Sequence, residues 1–318
     1  MTDPRRRLGP RGPEVTRLGL GTAPLGNLFS TVTDADSDAT VSAAWDAGIR
    51  FFDTAPLYGH GLAERRLGRA LDGRPRDEYV IATKVGRLLR PWSGAPPPRI
   101  FTDVPDLEPV FAYSRDDTLR SIDESLERLG LDRVDVVHVH DPDDHEADAM
   151  SGAFPALIEL RDQGVIGAVG AGMNQCEMLD RFVQRVDLDC ILLAGRYTLL
   201  DRSGAEVLLP RCAERNVGVV IGGVFNSGLL ADPDANRTYD YVPASKSLRA
   251  RARDLQKIAR AGGVTLRAAA LQFVLAHPAV TSVVVGARTA QEVHDDVDDA
   301  SGVIPPSLGA RLGFDPLR

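Results

Sequence analysis

The chain of 318 residues has only three cysteines, Cys176, Cys190 and Cys212. Their odd number and lack of metal-ligand spacing exclude a disulfide framework and point to reduced thiols in a cytoplasmic protein. No apolar run approaches the roughly 18 residues that a membrane-spanning helix needs. The opening MTDPRRRLGPRGPEV is basic but has no apolar core of a secretory signal, so Arg5 to Arg7 read as a solvated terminus. The net charge of −8 is spread along the chain, which argues against nucleic acid as a partner. The acidic run from Asp295 to Ala300 reads as a solvated helix face. His60, His138, His140 and His145 lack a convincing ligand geometry, so no metal site is expected. No repeat is visible beyond an alternation of strand-like and helix-like segments.

That alternation is the main positive signal. With 43% apolar residues, the chain can bury one large core as a single domain spanning residues 1–318. Candidate strands are Arg17–Gly21, Ile49–Asp53, Tyr79–Thr83, Val134–Val139, Ile166–Gly170, Cys190–Ala194, Gly218–Ile221 and Ser282–Val285. Most are continuous apolar runs, as parallel strands buried on both faces require. Amphipathic segments such as Asp36–Asp46, Ala63–Leu71, Arg115–Leu129 and Phe154–Gln163 lie between them. Asp116 and Gly130 serve as start and stop signals for the third. Eight β/α alternations in this length predict an α/β protein of the (β/α)₈ TIM-barrel class.

Two stretches break the pattern. Arg87–Ser114 is long, Pro-rich at its centre and carries several aromatics, among them Trp92. Because it follows a barrel strand it emerges at the C-terminal face, where barrels place active sites, and a substrate lid at 87–114 is expected. Asp232–Ser247 also follows a barrel strand, and reads either as a fold over a bound cofactor or as a solvated loop.

Four polar residues end apolar runs: Asp53 in GIRFFDTAPLYG, Tyr58 five residues on, Lys84 in YVIATKVG and His140 in VDVVHVHDPD. A phenol carries protons near neutral pH only if it is acidified from its usual value of about 10. A nearby ammonium favours the phenolate, and a carboxylate can hold that ammonium in place. Asp53, Tyr58 and Lys84 therefore form a coherent acid–base unit, with His140 to orient the reacting oxygen. His138 lies two residues earlier on the same strand, deeper in the barrel, and is expected to be a hydrogen-bonded core residue.

The segments RLGLGT, GIRFFDTAPLYGHGLAERRLGRAL, IATKVG and SLERLGLDRVDVVHVHDPD resemble the aldo-keto reductases, and the resemblance runs over nearly the whole chain. It implies a barrel enzyme that passes hydride between nicotinamide and a carbonyl or alcohol carbon, with a tetrad of Asp53, Tyr58, Lys84 and His140. It implies further that Gly21 and Thr22 approach the nicotinamide; the family's Ser-Asn pair that grips the carboxamide falls on Gly172 and Met173, and Asn174, one residue later, is either its replacement or an ordinary turn asparagine. Asn226, Ser227 and Gly228 would cradle the pyrophosphate. Tyr197 would stack near the nicotinamide or pack in the corner after the sixth strand. Gly286, Arg288, Glu292 and Asp296 fall in the segment that holds the adenosine. Family members commonly stack a tyrosine where this chain has Gly222, and place a glutamine where it has Ala194.

Glu292 occupies the position where NADP-binding members commonly carry arginine, so NAD is favoured over NADP, with Arg288 close enough to restore phosphate binding. The segments AVGAGMNQ, LLAGRYTLLD and VVIGGVFNSGLLA resemble the subgroup of aldose 1-dehydrogenases, L-fucose dehydrogenases and pyridoxal 4-dehydrogenases. That implies oxidation of the anomeric hydroxyl of a sugar or pyridoxal-like hemiacetal to a lactone, with Trp92 a candidate for stacking on the substrate. An NADPH-dependent aldehyde or ketone reductase, and a slow nucleotide-binding regulatory barrel, are the competing readings. The oligomeric state is not legible in the sequence.

Overall fold

The computed structural model describes residues 5–92, 100–236 and 238–314. Among them, eight parallel strands close into a barrel: β1 (Leu18–Gly21), β2 (Phe51–Asp53), β3 (Val80–Pro91), β4 (Val136–His140), β5 (Ala168–Met173), β6 (Cys190–Ala194), β7 (Gly218–Gly222) and β8 (Val280–Gly286). The hydrogen-bonded order is β2-β1-β8-β7-β6-β5-β4-β3, and pairing of β2 with β3 closes the ring. The principal helices are α1 (Asp34–Asp46), α2 (Leu62–Leu71), α3 (Arg115–Leu129), α4 (Phe154–Asp162), α5 (Cys176–Arg185), α6 (Leu208–Glu214), α7 (Lys246–Ala261), α8 (Leu266–Leu275) and α9 (Ala290–Ser301). The expected (β/α)₈ barrel is therefore the fold, with strand and helix boundaries within a few residues for most elements. No single helix among the described residues is long and apolar enough to cross a membrane; one pair, α7 with α8, passes by length and composition but is bent by 94°.

Alternation along the strands divides the apolar residues into two cores. Val137 and Val139 on β4, Val169 and Ala171 on β5, and Val219 and Ile221 on β7 face the helices. Phe51, Val80, Ala82, Val136, Ala168, Cys190, Leu192, Val220 and Val284 fill the barrel interior, together with Leu8 and Val15. Leu8 and Val15 come from the basic start of the chain. Arg5 to Arg7 are exposed, as expected of a solvated terminus, but their backbone belongs to a hairpin: Arg6–Arg7 pair antiparallel with Glu14–Val15, and Arg6 donates to the carbonyl of Val280 at the foot of β8.

Three further expectations are corrected. The helix α3 starts at Ser114, whose hydroxyl accepts from the Asp117 N–H at 3.1 Å, and not at Asp116; Gly130 does end it, at φ 64°. The segment 87–114 is not aperiodic, because β3 runs on to Pro91 and pairs antiparallel with Leu107–Ala112. Its tip, 93–99, lies outside the described residues. The acidic run in α9 is not fully solvated, since Arg267 on α8 binds Asp296 at 2.6 Å and Asp299 at 3.0 Å.

The lower end of the barrel is tied by buried carboxylates. Asp189, fully buried, accepts from Arg11 at 2.6 Å, Arg161 at 3.1 Å and the Val169 N–H at 2.9 Å. Removing one side of such an arrangement strands buried charge. Asp189→Ala is expected to lower stability by about 3–5 kcal/mol, read from urea unfolding at neutral pH; a change within about 0.5 kcal/mol, the range of ordinary surface substitutions, would contradict it.

Candidate active site

The strands place an inward-facing residue every second position, and at the upper end these positions change character. Phe51 gives way to Asp53 on β2, Val80 and Ala82 to Lys84 on β3, and Val136 to His138 and His140 on β4. Lys84 Nζ donates to Asp53 Oδ1 at 2.7 Å and to the Thr54 carbonyl at 2.8 Å. Both side chains are nearly sealed from solvent, at 1% and 2% exposure. Tyr58 is half-buried above them, on the turn between β2 and α2. Lys84 Nζ lies 4.7 Å from the centre of its ring, and the His140 ring meets it edge-on at 5.9 Å. The turn is held by the backbone of Gly26: a Cβ on Gly59 would fall 2.5 Å from the Gly26 carbonyl oxygen. Asp53 and Tyr58, Lys84 and His140, from three separate parts of the chain, thus share one site.

The electrostatics differ from the sequence expectation at Tyr58. Burial, reinforced by the negative charge of Asp53, pushes its phenol well above its ordinary value, so the resting side chain is a neutral proton carrier rather than a partial phenolate. Lys84 is already engaged by Asp53 and the Thr54 carbonyl. Burial drives His140 far below its usual value, with Arg87 and Lys84 adding to the effect, which makes it a neutral hydrogen-bonding group. Burial also raises Asp53 despite the opposing pull of Lys84, and its Oδ2 has no partner. His138 is fully buried and driven down to about 3 by burial. Contrary to expectation, neither of its ring nitrogens is hydrogen-bonded.

The remaining predicted residues sort into those with free groups and those already engaged. Thr22 faces its own scaffold: its hydroxyl donates to the Asp53 carbonyl at 3.0 Å. Tyr197 stacks on Phe273 at 5.1 Å inside the helical layer, not over the barrel mouth. Asn226 is a buried staple, donating to the Gly195 carbonyl at 3.1 Å and accepting from Thr198 at 2.7 Å. Asp296 is buried and held by Arg267, with burial raising it to about 7. At the start of α9 the Thr289 hydroxyl caps the Glu292 N–H at 3.2 Å, and the Glu292 carboxylate reaches back to accept from the Arg288 N–H at 2.7 Å. Arg288 donates to the Leu28 carbonyl. Trp92 sits beyond the last rung of the β3 hairpin, six residues past Gly86, its N–H donating to Asp106.

Four groups fit a nicotinamide dinucleotide. Asn174, directly after β5, is half-buried and its amide makes no hydrogen bond among the described residues. Ser227 and Gly228 adopt left-handed backbone at φ 57° and 91°, a local form in which successive N–H groups converge on anions. At Gly21, Gly172 and Gly222 the nearest atom to an added Cβ would be 3.4–3.7 Å away. Packing does not require glycine at these three inward positions, so they keep the mouth of the barrel open to a flat ring. Gly286 pairs with Gly21 at the same level, and there Pro24 does bar a side chain, at 2.7 Å.

Several residues at the site were not anticipated. Phe101 packs its ring 6.3 Å from Tyr58, and Tyr241 meets Phe29 at 5.8 Å. Tyr241 belongs to a small hairpin, Thr238–Tyr239 with Val242–Pro243, held to the loop after β6 by a bidentate Arg196–Asp240 pair. Asp141 and Arg87 flank His140. A signal for Asp141 was present in the HDPD sequence, and Phe101 and Tyr241 lie in the two stretches expected to cover the site, although neither residue was singled out.

The barrel and this cluster fit an oxidoreductase, and comparison with known proteins shows one. Residues 17–305 match the model of the aldo/keto reductase family, and the chain belongs to that family, whose members use NAD(H) or NADP(H). It is 45% identical to a D-threo-aldose 1-dehydrogenase from a Pseudomonas species, over 95% of this chain and 94% of that one. It is 42% identical to a pyridoxal 4-dehydrogenase from Microbacterium luteolum, over 92% of each. Its fold superposes on the holo form of an aldo-keto reductase from Bacillus halodurans with a TM-score of 0.75 and 25% identity, covering 97% of this chain and 94% of the other. Among the described residues no group of three or more His, Cys, Asp or Glu side chains is arranged to hold a metal ion.

Replacing Lys84 by methionine would leave the Asp53 carboxylate buried without its partner, at an expected cost of about 3–5 kcal/mol. Asp53 is already raised by burial, and without Lys84 it rises further. The deficit is therefore small below the unfolded carboxylate pKa of about 3.9 and grows as pH rises above it. Urea unfolding of both proteins at pH 4 and pH 8 tests this; a deficit larger at pH 4 would refute it.

Proposed function

We propose that this protein oxidises the anomeric hydroxyl of an aldose to the lactone, with NAD⁺ as the favoured cofactor. The observation that carries the reading is the Lys84–Asp53 pair beneath Tyr58 and His140, in a chain 45% identical to an aldose 1-dehydrogenase. The cofactor supplies the carbon that accepts hydride from the anomeric position. Asn174 would hold its carboxamide, the Ser227 and Gly228 amides its pyrophosphate, and Gly21, Gly172 and Gly222 leave room for its ring. Neutral His140 donates a hydrogen bond to the anomeric oxygen, and Tyr58, in its phenolate form, takes the proton from that oxygen as hydride leaves. Lys84, held by Asp53, sets a positive charge against the face of the Tyr58 ring and stabilises the phenolate when it forms. The paired strands at 86–91 and 107–112 and the hairpin at 238–243 serve as covers over this site, the first toward substrate and the second toward cofactor.

The NAD preference rests on charge. By resemblance Glu292 stands where NADP-binding members carry arginine, so its carboxylate would repel a 2′-phosphate, and Arg288 donates to the Leu28 carbonyl. With L-fucose as substrate, kcat/KM is expected to be at least about tenfold higher for NAD⁺ than for NADP⁺, measured from initial rates of nicotinamide reduction. Equal or reversed values would overturn the preference. Turnover of pyridoxal but of no aldose would assign the protein to the second relative's reaction.

Because the phenol of Tyr58 is raised, the proton-accepting form gains population as pH rises. Oxidation should therefore speed up across the alkaline range with no plateau below about pH 10. Tyr58→Phe should lower kcat by at least about 100-fold while NADH binding, followed by fluorescence, stays within a few-fold of wild type. Near-full turnover in the variant would remove Tyr58 from its role.

A further inference from the structure

Directly after His140 the chain turns through a strained residue. Asp141 has φ 39°, left-handed backbone on a residue other than glycine. The conformation is fixed from several sides. The Asp141 N–H donates to the Gly172 carbonyl at 3.1 Å, and the Tyr113 hydroxyl donates to the carbonyls of both Asp141 and His140. Arg87 also donates to the His140 carbonyl, at 3.0 Å. Backbone strain that neighbours over-determine is common where a side chain must be aimed. Here the aimed group is a carboxylate: Asp141 Oδ2 lies 3.4 Å from His140 Nε2 and 3.6 Å from Arg87 Nη2. It is half-buried and belongs to none of the groups assigned a role above.

His140 marks the position of the reacting oxygen, so Asp141 presents an acceptor one substituent away from it. On a cyclic aldose, the oxygens flanking the anomeric hydroxyl are the ring oxygen and the hydroxyl on the adjacent carbon. The ring oxygen has no proton and cannot donate to a carboxylate. The adjacent hydroxyl can. We propose that Asp141 reads the hydroxyl on the carbon next to the anomeric centre and so restricts the enzyme to 2-hydroxy aldoses. The inference rests on the aldose reading above and names the substrate class within it. A substrate lacking that hydroxyl would leave this carboxylate with only its longer contacts to His140 and Arg87, a lost hydrogen bond of the kind by which such sites discriminate.

The ionisable groups facing Asp141 come from every element around it. They are Lys84, Arg87 and Tyr113 from β3 and its hairpin, Tyr58 from the turn after β2, Tyr241 from the hairpin after β7, and His140 and Asp143 beside it. His140 is driven down and the three tyrosines are driven up. Asp141 itself is raised to about 6 by burial, against the pull of Arg87. Its accepting form is therefore lost as pH falls through that value.

The test compares L-fucose with 2-deoxy-L-fucose at saturating NAD⁺, in the wild type and in Asp141→Asn. Asparagine tolerates left-handed backbone, and circular dichroism with NADH fluorescence verifies that the variant is folded and binds cofactor. The wild type should prefer the 2-hydroxy sugar by at least about 100-fold in kcat/KM. That ratio, from which the titration of Tyr58 cancels, should fall as pH drops through about 6. In the variant the ratio should shrink to below about tenfold and become independent of pH. Oxidation of both sugars within threefold by the wild type, or full discrimination in the variant, overturns the role of Asp141 and leaves the dehydrogenase reading intact. Failure of the wild type to oxidise any aldose overturns that reading and this one with it.

Discussion

A single ammonium–carboxylate contact, Lys84 to Asp53 inside a closed barrel, is the constraint around which the upper half of the molecule is arranged. Burying two charges is costly, and their attraction compensates only when geometry is good and remaining donors are satisfied. Here strand pairing supplies the geometry: β2 and β3 are neighbours in register, and both residues point inward. The Thr54 carbonyl takes a second proton of Lys84, and the Asp53 carbonyl accepts from the backbone and side chain of Thr22. Three adjacent strand ends are thereby locked together beneath Tyr58. The phenol inherits its surroundings from this pair: a cation against its ring and an anion that opposes its ionisation.

The two ends of the barrel solve opposite problems. At the lower end, Asp135 and Asp189 accept from arginines and strand N–H groups. At the upper end, Asp53 Oδ2 and both nitrogens of His138 have no partner, and left-handed residues recur at Asp141, Asn226 and Ser227. The glycines facing the mouth lower the packing density where a ligand ring needs space. Stability is concentrated at one end and reactivity at the other, a division that barrel enzymes share.

Elements built on local periodicity were readable from the chain. The eight strands and the helices from α1 to α4 follow from apolar runs and amphipathic spacing, and the four tetrad residues from their places at strand ends. The extension of β3 to Pro91 was not readable, because its pairing partner at Leu107–Ala112 lies beyond a Pro-rich stretch of sequence and is itself half-exposed, with no core-facing pattern. The N-terminal arginines looked like a loose end for a similar reason: their hairpin packs against the feet of strands that come much later. Among the residues proposed for cofactor, Thr22, Tyr197, Asn226 and Asp296 proved to be engaged by neighbours from other elements.

The sequence by itself determined the architecture and the inventory of the site. Strand alternation dictates that Asp53, Lys84 and His140 point inward, and barrel closure brings strand ends from distant parts of the chain to one mouth. Only the tertiary structure decided which polar groups remain available and in what protonation state. Arg267 reaches Asp296 from another helix, Phe101 folds back onto Tyr58, and burial, not the neighbouring ammonium, sets the direction in which the Tyr58 phenol moves. Availability and acidity depend on desolvation and on partners remote in sequence, and both come into being only when the barrel closes.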